Sequence, residues 1–266
     1  MANLFLLFAL GLAVTLIIIC KHFSNRKCVL TVLMYHRISS NGKKDALTLD
    51  ASMLSKQFEF LNFNGYTPVL LSQVVQFEIN KKPLPPKPVL ITFDDGYRDN
   101  YTVMYPLLKK YGMAANIFLV PSFISNNTIN YPNDEYLNKN EILSMDPSIV
   151  EFGLHSYKHS NYSSLSIIEL NEDIIKSKAL LKSLSIPFQP CIAFPYGAYP
   201  KKKCLTHVPF FKTLSFNNIT LAFRIGNRLN PMQFKNPLLL ERLDINGNIS
   251  FAKFTSLLKN GKSLFA

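Results

Sequence analysis

Val89-Leu90-Ile91-Thr92-Phe93-Asp94-Asp95-Gly96-Tyr97 reads as an apolar, β-branched strand that stops abruptly at two carboxylates. Pro83-Leu84-Pro85-Pro86-Lys87-Pro88 ahead of it is a stiff loop feeding that strand. Similar runs recur on both sides: Val29–Met34, Ala115–Val120, Ile149–Leu154, Cys191–Phe194, Thr220–Ile225 and Leu238–Leu243, with a shorter one at Thr67–Leu71. Between them lie helical patterns. Residues 51–64 carry Met53, Leu54, Phe58 and Leu61 at near-helical spacing behind Asp50, a plausible N-cap, and residues 167–184 repeat the pattern before Pro187. Strands alternating with helices predict βα units and a mostly parallel sheet.

The carboxyl ends of these runs share a chemistry. His36 follows the first, Asp94 and Asp95 the second, and His155 the fourth. Pro195 and Tyr196 follow the fifth, while Arg242 and Asp244 mark the last. A parallel α/β barrel assembles its active site at this rim from loops after several strands. One such residue is easily placed by chance, but five strand ends are not.

Two clusters predict a metal site. In Asp94-Asp95 the neighbouring carboxylates point in different directions, so one can bind an ion while the other faces substrate. In His155-Ser156-Tyr157-Lys158-His159 the histidines share a face if the segment turns helically. Two His and one carboxylate leave coordination positions open, which suits catalysis. An Asp-Asp-Gly turn or a lone pair of histidines is weak alone, and the combination at strand ends is what gives weight.

TFDDGY, HSYKH and Phe194-Pro195-Tyr196-Gly197 together resemble the motifs of the polysaccharide deacetylases, the NodB-like carbohydrate esterase family 4. The resemblance runs from about Val32 to Leu243. It implies a distorted (β/α) barrel of about seven parallel strands and one divalent metal ion, zinc foremost, with cobalt, nickel or iron as alternatives. Asp95, His155 and His159 match the metal ligands, and Asp94 matches the general base acting on a metal-activated water. Tyr196 matches the position whose backbone N–H helps hold the oxyanion, so Pro195 and Tyr196 are carried over as substrate-binding residues.

Two departures qualify the match. Ala193 stands where the commoner pattern has an arginine that orients the base, and no histidine follows His207 to serve as the late acid. The subgroup acting on poly-N-acetylglucosamine has a permuted motif order, with its acid histidine early in a Met-Tyr-His stretch. Met34-Tyr35-His36 resembles it, which makes His36 the catalytic acid. Arg242 then takes the place of the missing arginine and joins the substrate-binding set. An ion pair with Glu241 or Asp244 is the structural alternative for Arg242.

The 266 residues are 48% hydrophobic and 17% charged, with a formal net charge of +12. The lysines are scattered and carry no nucleic-acid motif, so a solvated surface tolerant of anionic lipid fits better than nucleic-acid binding. Leu4 to Cys20 contains no charged residue and would span roughly 25 Å as a helix. Residues 1–28 are therefore predicted to be a membrane anchor or uncleaved signal segment, and residues 29–266 a catalytic domain. Lys21, Arg26 and Lys27 after the segment point to a cytoplasmic domain, whereas the family resemblance favours the outer face of the inner membrane. The expected substrate is an N-acetylated cell-surface polysaccharide. The alternatives are a lipid-linked N-acyl sugar and a catalytically inactive sugar-binding protein of the same fold.

Overall fold

A computed structural model describes residues 29–124 and 135–261. The eleven strands among them are β1 (Val29–Tyr35), β2 (Arg37–Ser39), β3 (Thr48–Asp50), β4 (Thr67–Val69), β5 (Pro88–Asp95), β6 (Ala115–Leu119), β7 (Val150–Leu154), β8 (Cys191–Ala193), β9 (Leu221–Ile225), β10 (Asn230–Pro231) and β11 (Leu240–Asp244). The helices are α1 (Ala51–Phe63), α2 (Leu71–Asn80), α3 (Tyr105–Tyr111), α4 (Lys139–Ser144), α5 (Ile167–Ser183), α6 (His207–Phe216) and α7 (Phe251–Asn260).

Seven parallel strands close on themselves in the order β1-β11-β9-β8-β7-β6-β5, because β1 pairs with β5 as well as with β11. This is the expected (β/α) barrel. β4 extends the ring beside β5, and the two-residue β10 runs antiparallel along the start of β1. The predicted runs and the observed strands agree to within two residues at each end.

Alternation along each strand divides the core in two. Leu30, Val32, Leu90, Phe118, Cys191, Ala193, Leu221, Phe223 and Leu240 fill the barrel, joined by Leu71, Val74 and Val75 of α2. Their neighbours Leu33, Tyr35, Ile91, Phe93, Ile117, Leu119 and Ile192 pack outward against the helices. The inward parity has a consequence for chemistry. It carries Leu90 on to Thr92 and Asp94, and Leu240 on to Arg242, so those polar groups stand inside the barrel above its apolar filling.

Asp50 caps α1 by accepting from Ser52 N–H, as its position suggested. α5 begins at a capping box of Ser166 and Glu169. The predicted membrane segment lies outside the described residues. Among the described residues no helix is long and apolar enough to cross a membrane.

Candidate active site

A cavity of about 570 Å³ opens at the carboxyl ends of the barrel strands. Its walls include His36, Asp94, Asp95, His155, His159, Tyr196, Arg242 and Asp244. All but one of the site residues expected from the sequence therefore converge there. Pro195 is the exception: it is buried in the turn that carries Tyr196 and does not line the cavity.

Asp95 Oδ1 lies 3.4 Å from His155 Nε2 and 3.2 Å from His159 Nε2. These three ligand atoms fall within 4.8 Å of one another. The second nitrogen of each ring is already engaged. His155 Nδ1 is 2.9 Å from the Ala193 carbonyl, which only accepts, so Nδ1 carries the proton and Nε2 presents a lone pair. His159 Nδ1 meets Tyr196 Oη at 3.1 Å, a contact that holds the ring in place. Burial lowers the pKa of His155, keeping it neutral and able to ligate. Asp95 Oδ1 is itself buried without a hydrogen bond. The unsatisfied Asp95 oxygen and the lone pair on His155 Nε2 face each other, an arrangement that a cation between them would relieve. The residues present thus fit a divalent ion, with outer partners already holding the ligands.

The route by which the histidines meet differs from expectation. Residues 155–160 are not helical; Ser156 and His159 both adopt left-handed backbone, with φ of 63° and 60°. The helical-face argument for HSYKH is thereby corrected: a bent loop brings the rings to 5.0 Å between centroids. What holds that loop is Asp173 on α5, which sequence reasoning passed over. Its carboxylate accepts from Ser156 Oγ (2.8 Å), Tyr157 N–H (3.0 Å) and Tyr162 Oη (2.8 Å), and Ser156 Oγ in turn accepts from Ser160 N–H. Burial raises the Asp173 pKa and these hydrogen bonds oppose the rise. The only sequence signal was an aspartate on the buried face of an otherwise amphipathic helix.

Left-handed backbone recurs at the site. Asp95 (φ 73°) and Tyr196 (φ 59°) adopt it as well. Side-chain-bearing residues avoid this region at a cost of roughly 1–2 kcal/mol each, so their gathering here reflects function overriding local preference. Gly96 follows at φ 75°, where a Cβ would meet Leu119 Cδ2 at 2.9 Å.

Arg242 holds Asp94 from behind. Nη1 and Nη2 donate to Oδ1 and Oδ2 at 2.6 and 2.7 Å, and the guanidinium lies 5.6 Å over the Phe118 ring. Glu241 pairs with Arg224 instead, so the alternative of a local ion pair for Arg242 is set aside. Its two terminal nitrogens are committed to Asp94 at 1% exposure, which favours the orienting role over the substrate-binding one. Burial pushes the Asp94 pKa up, but the charge of Arg242 and its hydrogen bonds outweigh it. The carboxyl is held well below the usual range.

His36 leaves β1 on the inward side, its carbonyl accepting from Asn100 Nδ2 at 2.9 Å. Tyr97 forms part of the wall and stacks on Tyr136 with centroids 5.1 Å apart. Tyr157 and Tyr199 do not line the cavity.

Comparison with known proteins agrees with this geometry. The family profile described as polysaccharide deacetylase matches residues 81–207. A Bacillus subtilis (strain 168) protein, YxkH, is 30% identical over 170 residues, covering 64% of this chain and 57% of that one. The chain thus spans a little over half the length of that relative. The poly-beta-1,6-N-acetyl-D-glucosamine N-deacetylase of Staphylococcus epidermidis is 28% identical over 220 residues, covering 74% of this chain and 72% of its own. The fold is shared with the solved Streptococcus pyogenes deacetylase PplD in complex with acetate. The TM-score is 0.72 at 21% identity, with 86% of this chain and 98% of that one covered. Residues 81–207 thus match the polysaccharide deacetylase family, and the chain shares the barrel fold of a solved deacetylase.

Proposed function

We propose that this protein removes N-acetyl groups from N-acetylglucosamine-type sugars of a cell-surface polysaccharide, using a divalent metal ion held by Asp95, His155 and His159. The observation that carries the reading is the adjacency of two unlike carboxylates. Asp95 faces two imidazole nitrogens, while Asp94, one residue earlier, is clamped as an anion by Arg242. A site that only bound sugar would need neither the three converging donors nor the buried, oriented base. The named activity of the Staphylococcus epidermidis relative supplies the substrate class.

A divalent ion in this site would lower the pKa of a water and polarise an amide carbonyl. The protein's own groups do the rest. Asp94 takes the water's proton as the water adds to the acetamide carbon. The backbone N–H of Tyr196, in its left-handed turn, donates to the developing oxyanion, a contact that typically contributes ~3 kcal/mol. His36 delivers a proton to the departing nitrogen as the carbon–nitrogen bond breaks. Acetate and a free amine leave.

Acetate release from N-acetylglucosamine oligomers, with added Zn²⁺ or Co²⁺ and with chelator, tests this reading. Metal-dependent release supports it. Stoichiometric metal binding without release from any oligomer would overturn the polysaccharide assignment, and the lipid-linked N-acyl sugar would take its place.

A further inference from the structure

Helix α6 presents an outward face that mixes apolar and cationic side chains. Leu205, immediately ahead of the helix, is 97% exposed; Val208 is 58% and Phe216 81% exposed. Val208, Lys212 and Phe216 follow at four-residue intervals and therefore share one side of the helix. Phe210 and Leu214 occupy the opposite side and enter the core. Lys201, Lys202 and Lys203 in the preceding turn are also exposed. Among the described residues none of these lysines, nor Lys212, forms an ion pair. Lys201 lies 4.7 Å over the Tyr199 ring.

The topology aligns this stripe with the cavity. β8 and β9 are parallel neighbours joined through α6, so the helix must run back along the outside of the barrel from the catalytic rim to the opposite end. The three lysines and Leu205 thus belong to the connection that leaves the barrel at the cavity end, after Tyr196, and the stripe extends down the flank. The charge of this part of the chain is one-sided. No Asp or Glu occurs between Asp173 and Glu241, while Lys and Arg recur throughout.

We propose that the α6 flank lies against an anionic lipid bilayer. Leu205, Val208 and Phe216 would enter the headgroup boundary, the lysines would meet lipid phosphates, and the cavity mouth would be held at the membrane surface. A soluble polyanion would be met by the lysines alone and would leave three large apolar groups in water. Singly scattered exposed apolar residues are ordinary, but Val208 and Phe216 share one helix face, with Leu205 in the turn before it and cations among them. The proposal is independent of the deacetylase reading and of any contribution from residues 1–28.

The chain contains no tryptophan, so Leu205→Trp introduces a single emitter that reports its own surroundings. The full chain would be mixed with vesicles of phosphatidylcholine alone or of phosphatidylcholine with phosphatidylglycerol. Phe63→Trp, at a 91% exposed position on α1, serves as the reference. The expected result is a shift to shorter wavelength and quenching by brominated lipid at position 205 in anionic vesicles only. Added salt should reverse the shift, as should Lys201→Glu with Lys202→Glu and Lys203→Glu in the Leu205→Trp background. Position 63 should not respond. No shift at 205, an equal shift at 63, or a shift with a soluble anionic polysaccharide but not with vesicles would overturn the proposal.

Discussion

Arg242 and Asp94, 148 positions apart in the chain, form a two-pronged ion pair at 2.6 and 2.7 Å inside the top of the barrel. The arginine comes from the last barrel strand and the aspartate from the second in chain order, and those strands flank β1 on either side. The resemblance to the commoner deacetylase pattern would place the orienting arginine at the position of Ala193. Here Ala193 instead contributes its carbonyl to His155, and the guanidinium reaches the base from across the barrel.

Arg242→Lys keeps one positive charge but loses the planar fork that fixes both oxygens. The expected outcome is a fall in kcat on the order of a hundredfold, with KM changed far less, because misplacement of the base acts on the chemical step. Arg242→Leu should do more damage. It strands a buried carboxylate and should destabilise the fold by about 3–5 kcal/mol. Steady-state kinetics and denaturant unfolding of the two variants separate these effects.

Asp173→Ala should weaken metal binding by roughly 10–100-fold while leaving Asp94 and Arg242 in place, because the loop carrying His155 and His159 loses its clamp. Zinc affinity measured by competition with a chromophoric chelator checks it. Tyr162→Phe removes one of the three hydrogen bonds and should have a smaller effect in the same direction.

The difference between these two residues shows what a sequence can convey. The barrel was readable because each strand is a short apolar run with a polar residue at its carboxyl end, and because parallel strands repeat that plan. Asp95, His155 and His159 were readable as ligand types at strand ends, although the loop joins them by left-handed turns rather than a helical face. Arg242 could be guessed from its strand end, but its partner depends on inward parity in two distant strands and on ring closure. Asp173 had no local signal. Its role exists only because α5 packs behind the metal loop, a relation between segments that no window of sequence contains. The five-residue π-helix at Asn100–Met104, where Asn100 supports His36, was likewise unannounced.

If His36 is the acid for the departing nitrogen, its removal should matter in proportion to how badly the leaving group needs a proton. His36→Ala should lower turnover of N-acetylglucosamine oligomers by ~10²–10⁴-fold. Hydrolysis of 4-nitrophenyl acetate, whose leaving group departs unprotonated, should be almost unaffected. Equal losses on both substrates would assign His36 to positioning or binding.

The pH dependence of stability follows from two opposite cases. The Asp94 carboxyl is held below its ordinary value, so its contribution is complete above pH ~4 and disappears as the pH falls through the lowered folded-state value. His155 is lowered by burial, so the unfolded chain takes up that proton first and stability declines below pH ~6.5. Urea unfolding of metal-free protein from pH 7 downward should show both declines in the parent. Asp94→Asn should retain the one below pH ~6.5 and reduce the one below pH ~4, to which the similarly lowered Asp95 still contributes.

The most direct measurement is acetate release by Asp94→Asn compared with the parent chain at equal, stoichiometric zinc content. The expected result is a rate lower by ~10²–10⁴-fold with zinc still bound, since Asp94 handles the proton while Asp95, His155 and His159 hold the ion. An unchanged rate at equal zinc content would contradict the assignment of Asp94 as the base and with it the division of labour between the two adjacent carboxylates.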